Sequence, residues 1–179
     1  SKGQIDRVTL AFGYGISATP IQLARAYSVF ANEGQLLPLS LIKQETEERI
    51  DGDQIISKAI ASDIIKLLAR AATSEGTGAL AQVPSFSVGG KTGTVHKVGA
   101  NGYLKDQYLA WFVGIAPISA PRYVTAVLID RPQGDQYAGG LAAAPVYSNI
   151  TREVLRIRNV RPEKANLNSF LAVSMSTDL

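Results

Sequence analysis

Apolar positions fall first into helical periods and then, past residue 86, into near-continuous β-rich runs. Val8–Phe12 is a short apolar segment broken by Gly13-Tyr14-Gly15, which predicts a brief strand leading into a loop. Thr19 is a good helix cap and Pro20 suits the first helical position, where a missing N–H costs nothing. Leu23, Ala24, Tyr27, Phe30 and Ala31 then recur at helical spacing and Gly34 follows as a stop, so the spacing predicts a helix over 20–33. Pro38–Lys43 reads as a strand and 44–54 as a polar, acidic hairpin tip around Asp51-Gly52-Asp53. A second helix is predicted from Lys58 to Ala72, capped by Ser57, with Ile60, Ile64, Leu67, Leu68 and Ala71 inward and the Gly76-Thr77-Gly78 turn after it.

Val88–Lys97, Tyr108–Ala116 and Arg122–Arg131 are the β-rich runs, joined by loops short enough for an antiparallel meander. Leu109–Ile115 and Val124–Ile129 are apolar nearly throughout, which predicts a sheet covered on both faces by helices. The last helix is expected to start at Ala144-Pro145, with Val146, Ile150, Val154, Leu155 and Ile157 as its apolar positions and Arg152, Arg156 and Arg158 towards its C-terminal end. Periodicity is lost after Pro162. The pattern predicts an α+β fold, with residues 1–162 in one domain and 163–179 as a tail.

Composition narrows the class. The chain has 179 residues, 46% of them hydrophobic, enough for one domain with a sizeable core. The net charge of +3 comes from 18 Lys and Arg against 15 Asp and Glu, scattered without a basic face, so no nucleic-acid partner is expected. No Cys is present, which excludes disulfides and thiolate metal sites, and neither a metal nor a cofactor is expected. The most apolar stretch, 108–129, is broken by Pro117, Pro121 and Arg122, and no signal-peptide pattern opens the chain. Without an initiating Met, the sequence reads as a fragment or a mature segment.

The chemistry concentrates in Val88-Gly89-Gly90-Lys91-Thr92-Gly93-Thr94-Val95-His96, where a cation and two hydroxyls sit among three glycines on a β-prone segment. Glycine weakens a strand and marks a close approach by a ligand or another backbone, although an exposed edge strand with a bulge would look similar. A phosphate-binding loop fails twice. The position five before Gly90 is Ser85, and strand-forming Gly93 and Val95 follow where a helix is needed. Lys91-Thr92-Gly93 instead matches the Lys-Thr-Gly strand of serine penicillin-recognising enzymes. Alternation puts Lys91 and Gly93 on one face and Thr92 and Thr94 on the other, and strand twist lets ammonium and hydroxyls converge on one anion.

The surroundings carry the resemblance further. Gly13-Tyr14-Gly15, Ala18-Thr19-Pro20-Ile21-Gln22-Leu23-Ala24, Asn32-Glu33-Gly34, Gly89 to Thr94, Gly114-Ile115-Ala116-Pro117, Gly139-Gly140 and Ala144-Pro145-Val146 occur in order. Over roughly residues 5–162 the chain resembles the class B penicillin-binding proteins, most closely those of the division septum. The resemblance implies the C-terminal part of a penicillin-recognising, β-lactamase-like domain with an antiparallel sheet flanked by helices. It implies a D,D-transpeptidase that passes an acyl group from a D-Ala-D-Ala stem peptide through a serine to a neighbouring amine, and that β-lactams acylate. Lys91 and Thr94 would then be catalytic, with Gly90, Thr92, Gly93 and Thr94 along the substrate. Further implied are a periplasmic site on the inner membrane with an N-terminal anchor absent from this chain, and partners in the division complex.

Two features depart from the family. The nucleophile motif Ser-x-x-Lys and the later Ser-x-Asn precede this region in the family and have no counterpart at matching places, so the nucleophile is expected from an N-terminal part of the domain. Ser40 to Lys43 spells the first motif, but Ser40 follows Pro38 in a β-prone run where positions i and i+3 point apart. The aromatic pair expected before Gly139 is reduced to Tyr137 with Ala138, and His96 stands where Arg or Lys is common. Tyr14, Tyr108, Tyr137 and His96 are candidates for lining the cleft; each Tyr could equally be an ordinary half-buried aromatic. Trp111, mid-strand, reads as core. The competing reading from another class is a non-catalytic scaffold with the same fold, and a carboxypeptidase or β-lactamase is the further enzymatic option.

Overall fold

The computed structural model describes residues 17–42, 52–99, 102–134 and 136–163. The predicted strand at Val8–Phe12, Tyr14 and the 164–179 segment lie outside them. Helix α1 (Pro20–Ala31) begins as its sequence dictates: the Thr19 hydroxyl accepts from the Gln22 N–H while the Gln22 side chain accepts from the Thr19 N–H. The chain leaves α1 through Glu33 and Gly34, both at positive φ, into strand β1 (Gln35–Leu36), which pairs antiparallel with β2 (Asp53–Gln54).

This hairpin corrects one expectation. Among 38–43, residues 38–42 form no strand and Lys43 lies outside the described residues. The ladder forms before Pro38, and the Ser40 hydroxyl donates to the Ile42 carbonyl and accepts the Ile42 N–H, a local bonding pattern that competes with a ladder. Helix α2 (Lys58–Ala71) is capped by Ser57, whose hydroxyl accepts from the Ile60 N–H. A 3₁₀ turn, Ala79–Ala81, leads on towards the main sheet.

That sheet is an antiparallel meander of β3 (Gly89–Gly99), β4 (Gly102–Ala116) and β5 (Tyr123–Asp130), in spatial order β3-β4-β5. Thr92 lies opposite Phe112, which lies opposite Val127, and Thr94 lies opposite Ala110. Partners share a face, so Thr92 and Thr94 stand on the side of Phe112 while Lys91 and Gly93 stand on the side of Val113 and Trp111. Helix α3 (Gly139–Ile157) covers the Phe112 side: fully buried Tyr147 packs on Phe112, ring centroids 4.7 Å apart, with Ala143, Ala144 and Leu155 in the same core. On the other side, α2 backs the start of β3, where Gly89 faces the backbone of Leu68 and Ala69. Helix α1 lies against β5 and touches α2.

Helix α3 is a second correction, because it begins at Gly139, five residues before Ala144, and carries Pro145 inside it. A proline read as the mark of a helix start sits instead in the second turn. The true start is glycine because the helix lies tight on the sheet: a Cβ on Gly139 would collide with the carbonyls of Gly93 and Trp111. At the other end, the Glu163 carboxylate accepts from the Ser87 N–H and from the hydroxyls of Ser87 and Ser119, tying the segment after α3 to the entry of β3.

Candidate functional site

Among the described residues β3 has a strand neighbour on one side only, and Gly90, Lys91, Thr92, Gly93 and Thr94 occupy this free edge. Their glycines differ in kind. A Cβ on Gly90 would stand 2.6 Å from the Phe112 ring, so internal packing alone demands glycine there. Beside Gly93 the nearest atom is Trp111 Cβ at 3.5 Å, an ordinary contact, so the fold itself would accept alanine.

The polar groups converge despite their alternation. Lys91 Nζ bends round the strand to within 3.1 Å of the Thr92 carbonyl oxygen and 3.3 Å of Thr92 Oγ1. Thr92 Oγ1 is 2.9 Å from the hydroxyl of Thr77, in the turn after α2. Thr94 Oγ1 accepts the Gly139 N–H at 2.9 Å, which joins β3 to the first turn of α3. That turn is sandwiched, since a Cβ on Gly140 would strike the Thr77 carbonyl and lie 3.5 Å from Thr92 Cγ2. The result is a compact edge holding one ammonium and three hydroxyls.

An aromatic row extends from it. His96 lies 4.4 Å from Tyr108, and Tyr108 stacks on Tyr137 at 4.1 Å and 17°; Tyr103 meets His96 edge-on from the far side. Burial chiefly, then the neighbouring Tyr137 and Asp106, push the Tyr108 phenol above its ordinary value, so it stays a neutral donor. Between His96 and Val98 the register slips, and Lys97 there reaches across to Asp130 on β5 at 2.6 Å. The Lys97 bond holds the Asp130 carboxyl below the usual carboxylate range.

The structure thus brings together Gly90, Lys91, Thr92, Gly93 and Thr94 on one edge and His96, Tyr108 and Tyr137 in one row beside it; Tyr14 lies outside the described residues. Thr77, Gly139 and Gly140 were not expected at the site. Their signal was present in Gly76-Thr77-Gly78 and Gly139-Gly140, glycines flanking or adjoining polar sequence, which read as turn markers rather than as close approaches. Trp111 is half-buried rather than core. Among the described residues no group of three or more His, Cys, Asp or Glu is placed to hold a metal ion, and no helix is long and apolar enough to cross a membrane.

Residues 1–152 match the family model described as the penicillin binding protein transpeptidase domain. The chain is 37% identical over 162 residues to the peptidoglycan D,D-transpeptidase FtsI of Buchnera aphidicola subsp. Baizongia pistaciae, covering 89% of this chain and 28% of that protein. It is 36% identical to FtsI of Escherichia coli K12 (89% and 27%) and 36% identical to the probable peptidoglycan D,D-transpeptidase PenA of Neisseria flavescens (93% and 41%). Among solved structures it superposes on the apo transpeptidase domain of penicillin-binding protein 3 from Burkholderia pseudomallei with a TM-score of 0.83 at 38% identity, covering 89% of this chain and 48% of that one. The chain therefore spans less than half the length of these relatives. With the antiparallel sheet, its flanking helices and the Lys-Thr-Gly edge in place, the match over most of its length shows that the chain belongs to the penicillin-binding protein transpeptidase family.

Proposed function

We propose that this chain is the C-terminal part, within residues 1–162, of a serine D,D-transpeptidase that cross-links peptidoglycan stem peptides at the division septum and is acylated by β-lactams. The observation that carries it is the edge of β3, where Lys91 Nζ closes to 3.3 Å of the Thr92 hydroxyl with the Thr94 hydroxyl one step along the same face. An extended peptide ending in a carboxylate suits an edge strand, which offers unpaired N–H and C=O groups to a backbone laid beside it. Lys91 supplies positive field at the carboxylate. Thr92 and Thr94 donate to it, and Thr94 is oriented for this because the Gly139 N–H occupies an acceptor site on Oγ1 and leaves its proton to point elsewhere.

A serine from a preceding segment attacks the penultimate D-Ala carbonyl; the carbon–oxygen bond forms, the bond to the terminal D-Ala nitrogen breaks, and that nitrogen leaves with a proton as an amine. An amine of a neighbouring stem peptide then displaces the serine. The oxyanion of each step lies against the Thr94 N–H. Gly93, with open space beside its Cα, lets the peptide lie flat, and His96, Tyr108 and Tyr137 line the cleft beyond it. The enzyme works at the periplasmic face of the inner membrane among division proteins, held by an N-terminal anchor; 163–179 is a tail.

Labelling with a fluorescent penicillin tests this. A protein extended to the length of its relatives is labelled on a serine upstream of residue 1, this chain alone is not, and Lys91→Ala slows labelling on the order of 10²-fold or more with unchanged circular dichroism. Label at Ser40, or an unchanged rate in Lys91→Ala, overturns the proposal, and absence of label on the extended protein favours a non-catalytic scaffold.

A further inference from the structure

We propose that Thr77 is a positioning residue for the carboxylate-binding hydroxyl of Thr92, switching from hydrogen-bond acceptor to donor when a carboxylate arrives. The inference rests on the function proposed above and deepens it at one atom.

A hydroxyl has one proton and two acceptor sites. At Thr92 Oγ1 the Lys91 ammonium, 3.3 Å away, can only donate, and the Thr77 hydroxyl at 2.9 Å can donate or accept. In the empty site the Thr92 proton is free to go to Thr77. A carboxylate is acceptor-only, so when it binds, the Thr92 proton must turn to it, and the contact with Thr77 survives only if Thr77 now donates. Rotation about the Thr77 Cβ–Oγ1 bond achieves this without moving a heavy atom. The bound state then runs from Lys91 and Thr77, both donating into Thr92 Oγ1, to Thr92 donating into the ligand, and each bond polarises the next. No proton changes owner in this exchange.

The turn is built to hold Thr77 still. A Cβ on Gly76 would collide with the Ala71 carbonyl, and one on Gly78 would stand 2.9 Å from the Phe112 ring. The Gly78 N–H donates to the Ala71 carbonyl at 2.9 Å, fastening the turn to the end of α2, while Gly140 at the start of α3 closes on the Thr77 carbonyl. Two helices thus clamp a residue whose own side chain is exposed to the cleft edge. A turn that served only to end α2 would have no need of a hydroxyl aimed at β3.

The test uses the extended protein and two probes, a penicillin with its free carboxylate and the methyl ester of the same penicillin. Thr77→Val is expected to slow acylation by the free acid about tenfold, the loss of one hydrogen bond in a charge-assisted chain, and to leave the slower rate with the ester unchanged. Thr77→Ser restores the acid rate to within about threefold, and Thr77→Val adds nothing in a Thr92→Val background. Thr77→Ala replaces the valine variant if that does not fold. An acid rate equal to wild type, or acid and ester rates lowered in step, overturns the role of Thr77. A wild-type protein that neither probe labels overturns the proposed function itself and this inference with it, a result distinct from the other two.

Discussion

At Gly90 and Gly93 one residue type answers to two different demands. Gly90 is glycine for the sake of the Phe112 ring, so Gly90→Ala forces a buried aromatic aside and is expected to lower stability by about 1–3 kcal/mol, read by thermal unfolding of the extended protein. Gly93 meets only Trp111 Cβ at 3.5 Å, so Gly93→Ala should leave the melting temperature within a few degrees of wild type while slowing penicillin acylation about tenfold or more, because the added methyl stands where the ligand backbone lies. Equal acylation rates for Gly93→Ala and wild type would show that nothing lies along that edge. Sequence alone could see that the segment was too rich in glycine for a plain strand, yet could not sort these glycines, because the atoms that make Gly90 obligatory lie on β4. Thr77 was hidden for the same reason: its partner Thr92 is fifteen residues away and meets it only through the packing of α2 and α3.

Elements with local signals were legible. Thr19 and Pro20, and Ser57, announce α1 and α2 through hydrogen bonds that span three residues, and the helices begin where those caps stand. Helix α3 was misplaced because its start is set by contact with β3 rather than by a cap side chain of its own. Its packing gives two predictions of opposite sign. The Tyr147 hydroxyl is buried with no hydrogen-bond partner, and burial raises its pKa far above the ordinary phenol value, with Thr151 acting weakly against it. Tyr147→Phe is therefore expected to leave stability unchanged or raise it by up to about 1 kcal/mol. Gly114→Ala, whose Cβ would stand 2.7 Å from that ring, is expected to lower it by about 1–3 kcal/mol in the same unfolding assay. Across the sheet, Lys97 on β3 depresses the Asp130 carboxyl on β5, so what this tie contributes is present above the ordinary carboxylate pKa and is lost as pH falls through the depressed one. An NMR titration should place the Asp130 midpoint below the ordinary 3.8, and Lys97→Met should return it towards that value.

For the molecule as a whole, helix α1 poses the open question. Its sequence, Pro-Ile-Gln-Leu-Ala-Arg-Ala-Tyr-Ser-Val-Phe-Ala, is apolar nearly all round, a composition that belongs inside a core, yet Val29 is its only buried residue and Ile21 is 47% exposed. Periodicity gave the helix its place but not its surroundings, which sequence within this chain does not supply. The relatives are more than twice the length of this chain, and the solved domain it superposes on is about twice as long. We predict that further protein covers α1 in a chain of that length, on the side away from β5. Because the sequence contains no Cys, a single reporter is unambiguous. Ala26→Cys, on an exposed position of α1, should react with a maleimide at the rate of a free thiol in the 179-residue chain and at least tenfold more slowly in the extended protein, whereas Asp63→Cys on the exposed face of α2 serves as the reference within each protein. Equal protection ratios at the two positions would mean that α1 is a solvent-facing helix despite its composition, and that the catalytic half of the domain docks elsewhere on the sheet.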